Sequence, residues 1–147
     1  MSRVQLALNV DDVDEAVAFY RKLLGTEPAK RRPGYANFAV ADPPLKLVLI
    51  GGSGEPGTLN HLGVEVESTD EVGAAARRLA DADLETRTED EVDCCYAIQD
   101  KVWVTGPGGE QWEVYTVLAD SPATGDRVEG LQVGAAASAG DTLGCCS

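Results

Sequence analysis

Only one histidine occurs in the 147 residues, and basic side chains are scarce: 12 Lys and Arg stand against 25 Asp and Glu, a net charge of -13. Within one chain, a single imidazole excludes a metal site built on two histidines. The acidic surplus repels nucleic acid and anionic membrane surfaces at long range, so neither is expected as a partner. Long apolar runs are missing as well. Nothing approaches the roughly 20 residues that cross a bilayer, and no basic, apolar leader opens the chain, which points to a cytoplasmic protein. Cysteines number four; in a reducing compartment they serve as thiols for binding or catalysis rather than as structural cross-links. The length suits one compact domain with a real core, followed by a tail.

What is present is a repeat. Residues 5–25 and 61–81 align without a gap, Gln5 on His61, with identities at Leu6/Leu62, Val10/Val66, Asp14/Asp70, Glu15/Glu71, Ala18/Ala74, Arg21/Arg77 and Leu23/Leu79. Each copy alternates as a strand, passes through an acidic helix start and ends as an amphipathic helix. Such a unit needs a partner to bury its apolar side. Equivalent strands would place one potential ligand each, Gln5 and His61, at matching points of a pseudo-twofold site.

In the first copy, Val4 to Val10 sends Leu6, Leu8 and Val10 to one face and Gln5, Ala7 and Asn9 to the other. Asp12 and Glu15 have capping-box spacing, an apolar stripe follows from Val13 to Leu24, and Gly25 suits a left-handed C-terminal cap. Tyr35 to Val40 and Leu45 to Ile50 read as strands separated by the turn Asp42-Pro43-Pro44, and Gly51 to Gly57 as a linker. The second copy has a strand from Asn60 to Val66, a capping box at Ser68 and Glu71, and strands at Cys94 to Ile98, Val102 to Thr105 and Gln111 to Val117. Gly106-Pro107-Gly108-Gly109 forms a turn. From Ala119 onward Ala, Gly, Ser, Thr and Asp dominate, a composition in which ordering costs more than burial returns.

Along Gln111 to Tyr115, alternation puts Gln111, Glu113 and Tyr115 on one face. Taken singly, a histidine at a strand start or an inward amide serves local hydrogen bonding as readily as metal ligation. The register match of Gln5 with His61, joined by Glu113, favours a metal site. One amide oxygen, one imidazole and one carboxylate approach the facial triad of non-haem Fe(II) oxygenases with Gln in place of a histidine, a harder and weaker donor set.

Two βαβββ modules, with strand-borne Gln5 and His61 and a closing Pro107-x-Gly109-x-x-Trp112-Glu113, resemble the vicinal oxygen chelate superfamily over roughly residues 3–118. The resemblance implies an α+β fold in which two tandem βαβββ modules, about 1–56 and 57–118, form a curled sheet around a metal held by Gln5, His61 and Glu113. Residues 119–147 are then a flexible tail ending in Cys145-Cys146.

Cys94-Cys95 narrows the chemistry. Adjacent α-carbons lie about 3.8 Å apart, closer than the usual 4.4–6.8 Å of a disulfide, so the pair tends to remain a dithiol. Two neighbouring thiolates suit one soft centre such as trivalent arsenic. With this pair the sequence resembles the ferrous carbon-arsenic lyases and the related cadmium-induced proteins. That resemblance implies an Fe(II)- and dioxygen-dependent enzyme in which Cys94 and Cys95 bind a trivalent methyl- or aryl-arsenical whose carbon-arsenic bond is cleaved to arsenite. The alternative is a non-catalytic cadmium- or arsenic-binding stress protein of the same fold. As an ordinary reading, either cysteine could be a small core hydrophobe. Tyr115, Asn9 and Lys46 are candidates to orient substrate or oxygen, and Cys145 and Cys146 are a candidate accessory thiol pair. No acid-base residue is assigned, and the protein is expected as a monomer or homodimer. A glyoxalase-type isomerase would need a further ligand from Leu45 to Ile50, which offers no carboxylate, amide or imidazole.

Overall fold

The computed structural model describes residues 2–94 and 96–120. From residue 121 onward the expected C-terminal tail, with Cys145 and Cys146, falls outside the described residues, as does Cys95. Strand β1 (Arg3–Val10), helix α1 (Val13–Leu24), β2 (Lys30–Arg32), β3 (Tyr35–Val40) and β4 (Leu45–Gly51) form the first module. Strand β5 (Leu59–Glu65), helix α2 (Thr69–Asp81), β6 (Thr86–Cys94), β7 (Ala97–Thr105) and β8 (Gln111–Asp120) repeat that order. All strands join one sheet in the order β2-β3-β4-β1-β5-β8-β7-β6. Its centre is the antiparallel pair β1 and β5, flanked by the parallel pairs β1 with β4 and β5 with β8. The duplication is therefore visible as a twofold arrangement about the β1–β5 seam.

Local signals act where the sequence places them. Asp12 accepts from the Glu15 N–H at 3.2 Å, and Gly25 ends α1 at a φ of 67°. Ser68 accepts from the Glu71 N–H at 3.2 Å, while the Glu71 carboxylate takes the Glu67 N–H at 2.9 Å. Four orphan N–H groups at each helix start make such caps worth about 1 kcal/mol each. Alternation along β1 holds as well. Leu6, Leu8 and Val10, together with Tyr20 and Leu24 of α1, pack against the buried cluster of Val17, Ala36, Phe38, Leu47 and Leu49. Burying each of these large side chains fully contributes roughly 1.5–3 kcal/mol. The opposite face of β1 carries Gln5, Ala7 and Asn9, all buried inside the curl of the sheet.

Two expectations need correction. Residues Cys94 to Ile98 are not one strand: β6 ends at Cys94, β7 begins at Ala97, and Tyr96 turns the hairpin at a φ of 63°. The strand leading into it, Thr86–Cys94, is an acidic run without apolar alternation, and a charged edge strand gives little periodic signal. Strand β8 also continues to Asp120, past the point where the composition shifts.

Candidate functional site

Gln5, His61 and Glu113 converge although 56 and 52 residues separate neighbours along the chain. The Gln5 Nε2 donates to Glu113 Oε2 at 2.6 Å and lies 3.2 Å from His61 Nε2, which is 3.1 Å from the same carboxylate oxygen. Register explains the meeting: Gly63 pairs with Gln5 on one side and with Glu113 on the other, and His61 lies two residues before it on the same face. A β-carbon at Gly63 would stand 3.0 Å from Glu113 Cγ and 3.1 Å from Gln5 Nε2. The missing side chain thus leaves the space in which the two ends meet.

The carboxylate is the electrostatic centre. Lys101, 1% exposed, brings its ammonium to 2.8 Å from Glu113 Oε1. This is an ion pair off the hydrogen-bonding direction, so Oε1 has a charge partner but no hydrogen bond among the described residues. Burial by itself would raise the Glu113 pKa; the hydrogen bond that His61 donates when its Nε2 carries a proton, and the positive charge of Lys101, outweigh it and bring the carboxyl down to about 2. The ammonium also lies 5.3 Å from the centre of the Trp103 ring, which is steeply inclined to the His61 ring with centres 5.5 Å apart and whose Nε1 donates to Glu89 at 2.9 Å. Tyr115 donates to Gln5 Oε1 at 2.6 Å, and burial, then the charges of Glu65 and Glu113, hold its phenol well above the ordinary range.

These residues fit a divalent cation. An imidazole nitrogen and the carboxylate oxygen Oε2 face a common point, while Oε1 of Glu113 is held by the Lys101 ammonium. Gln5 presents its amino side to that point. Turning the amide over would present the carbonyl oxygen instead and leave Nε2–H to donate to Tyr115, whose hydroxyl serves in either role. A set of one nitrogen and two oxygens suits first-row metals such as iron with positions left open.

Cys94 lies on the same concave face. In β6, Glu89 pairs with Lys101 but Val92 pairs with Gln99, so a bulge at Asp90 and Glu91 shifts the alternation and turns Val92 and Cys94 inward. Asp100 holds the bulge, accepting from the Glu91 N–H at 2.7 Å and from Thr69 Oγ1 at 2.6 Å. The Cys94 carbonyl accepts from Gln99 Nε2 at 3.0 Å. Cys94 is disulfide-bonded in this structure, not the free thiol expected. Short α-carbon spacing makes a bond between neighbours costly rather than impossible, and it places no limit on more distant partners.

Across the bowl the wall is apolar: Ala7, Tyr35, Val48 and Ile50 cluster with Tyr96 from the hairpin end. Lys30 donates to the Tyr96 carbonyl at 3.0 Å, fastening that end to the first module. Lys46 stands over Tyr115, 5.3 Å from its ring centre. A surface concavity of about 920 Å³ at the start of α1, between Asp11–Asp14 and Arg31–Gly34, shares no residue with the triad.

The model of the Glyoxalase/Bleomycin resistance protein/Dioxygenase superfamily matches residues 3–114. The chain belongs to that superfamily. Within it, the chain is 66% identical over 122 residues to the trivalent organoarsenical cleaving enzyme of Thermomonospora curvata, covering 82% of this chain and 81% of that one. It is also 66% identical over 125 residues to the cadmium-induced protein CadI of Mycobacterium tuberculosis, covering 85% and 82%. The 2,3-dioxygenase LapB from Pseudomonas sp. KL28 shares the superfamily fold, with a TM-score of 0.62 at 17% identity over 82% of this chain and 43% of LapB.

Sequence reasoning did not single out Lys101, Trp103, Asn60 or Asp100. The expected strand began at Val102, which left Lys101 outside it.

Proposed function

We propose that this protein cleaves the carbon-arsenic bond of trivalent organoarsenicals, with Fe(II) held by Gln5, His61 and Glu113 and arsenic held by Cys94 and Cys95. The observation that carries the reading is the 66% identity, over most of both lengths, to the organoarsenical cleaving enzyme. The facial set of amide, imidazole and carboxylate supports iron. Fe(II), when bound, supplies the activation of dioxygen. The chain's own residues do the rest. Glu113 stays ionised at neutral pH, and Lys101 occupies its Oε1, which leaves Oε2 for the metal. The bulge held by Asp100 turns Cys94 toward the bowl, so an arsenical on the reduced cysteines has its organic group directed at the apolar wall of Tyr35, Val48, Ile50 and Tyr96. Holding reacting groups near contact distance is where such a site gains most of its rate. Among the described residues, no helix is long and apolar enough to cross a membrane, and we read the protein as cytoplasmic.

The test uses protein whose cysteines have been reduced, loaded with Fe(II) and given methylarsonite with and without oxygen, followed by arsenic speciation. Arsenite released only in the aerobic tube is the expected result. Intact methylarsonite recovered from both tubes would sink the lyase reading and leave the alternative of a non-catalytic cadmium- or arsenic-binding protein of the same fold.

A further inference from the structure

We propose that Asn60 is a positioning residue that keeps the His61 proton on Nδ1, so that Nε2 is the nitrogen offered to a metal, and that Asn60 is itself oriented by a one-way hydrogen-bond chain starting at the backbone carbonyl of Glu55. The inference rests on the metal site described above and adds the residues that set its protonation.

The direction of every link follows from what each atom can give or take. The Glu55 carbonyl has no hydrogen, so Thr58 Oγ1, at 2.6 Å, donates to it. With its hydrogen committed, Thr58 Oγ1 accepts from Asn9 Nδ2 at 3.0 Å. That turns the Asn9 amide so that its Oδ1 accepts from Asn60 Nδ2 at 2.9 Å. The second hydrogen on Asn60 Nδ2 goes to Ser53 Oγ at 2.8 Å. Only the carbonyl oxygen of Asn60 then remains, and it lies 2.8 Å from His61 Nδ1. An amide oxygen accepts and cannot donate, so Nδ1 carries the hydrogen.

The other ring nitrogen stands between two groups of opposite kind, the Gln5 amino group at 3.2 Å and Glu113 Oε2 at 3.1 Å. In a neutral ring Nε2 accepts from Gln5; in a doubly protonated ring it donates to Glu113. Nδ1 keeps its hydrogen in both states, and the proton on Nε2 is the one that a metal replaces. Outer partners of this kind fix the tautomer and ring orientation of metal-ligating histidines.

The chain begins in the segment that joins the two modules. A β-carbon on Gly54 would stand 2.6 Å from Asn9 Nδ2, and the Asn9 backbone bonds to Thr58 and Gly57 at 2.9 and 2.8 Å. The linker is therefore bonded to the first module's strand and orients the tautomer of a ligand on the second module's strand.

Because His61 is the only histidine, its ring gives a single long-range proton-nitrogen pattern in uniformly ¹⁵N-labelled protein. Metal-free protein, at a pH where the ring is neutral, is expected to show hydrogen on Nδ1. Asn60→Ala should move part of the population to the Nε2 form and weaken Zn(II) binding by calorimetry about 10- to 100-fold. Asn60→Asp, whose carboxylate accepts the same hydrogen, should keep the Nδ1 form; Thr58→Val, which breaks the chain further out, should shift the population less than Asn60→Ala. Hydrogen on Nε2 in the parent protein overturns the proposal, as does an unchanged tautomer in Asn60→Ala. If Asn60→Ala does not fold, the parent spectrum and Thr58→Val decide. A parent with hydrogen on Nδ1 but no affinity for Zn(II) or Fe(II) would refute the metal site while leaving the proton assignment standing.

Discussion

Matching the two modules by strand register puts Val48 where the second module has Glu113, because Ala7 pairs with Val48 as Gly63 pairs with Glu113. By the same registers Ile50 occupies the place of Tyr115 and Tyr35 that of Lys101. Four equivalent positions thus hold Ala, Val, Ile and Tyr on one wall of the bowl and Gly, Glu, Tyr and Lys on the other. One copy kept a lining that excludes water and suits an organic substituent. Its twin carries a buried ion pair, which is expensive to assemble and worse to break. Val48 offers no donor to a cation, so on the proposed function the asymmetry itself would leave coordination positions open.

Breaking the polar wall has the largest expected effect. Glu113→Ala strands Lys101 without its counter-charge, and the unfolding free energy in urea should fall by about 3–5 kcal/mol, with arsenite release lost. A variant that keeps parental stability would show that the ammonium has another partner. Making the walls alike is the next test. Val48→Glu buries a carboxyl in the apolar cluster, so the metal-free protein should lose at least about 1–3 kcal/mol; Zn(II) should then raise its melting temperature more than it raises the parent's, while aerobic turnover falls as an open position closes. Equal metal-induced shifts in the two proteins would remove the equivalence drawn between residues 48 and 113. The smallest change concerns the hairpins. The β2–β3 pairing of the first module runs without a shift, whereas β6–β7 needs Asp100 to hold its bulge. Asp100→Ala should cost about 1–3 kcal/mol by leaving the Glu91 N–H without its partner, and should weaken the binding of phenylarsine oxide to the reduced protein. Undiminished arsenical affinity would mean that the bulge does not orient Cys94.

Much of this arrangement is legible in the sequence. The gapless alignment of Gln5 with His61 fixes their strands as equivalents, and alternation around Glu113 selects its face, so three residues far apart could be placed together. Lys101 could not be read this way, because a lysine after Asp100 in a segment with no alternating approach looks solvated; only its pairing with Tyr115 in register buries it. Asn60 was passed over because a polar residue beside a ligand has no period that marks its partner. The face of Cys94 depends on a bulge, and a one-residue shift in pairing reverses every side chain beyond it without changing composition.

Three adjacent strands supply the donors, yet the last of them is also the last element of the sheet to be translated. A nascent chain holds Gln5 and His61 long before Glu113 exists, and Lys101 emerges earlier than the acid that neutralises it. On the proposed function, metal capture would therefore be reserved for a finished molecule: a truncated or half-folded product lacks one of the three proposed donors.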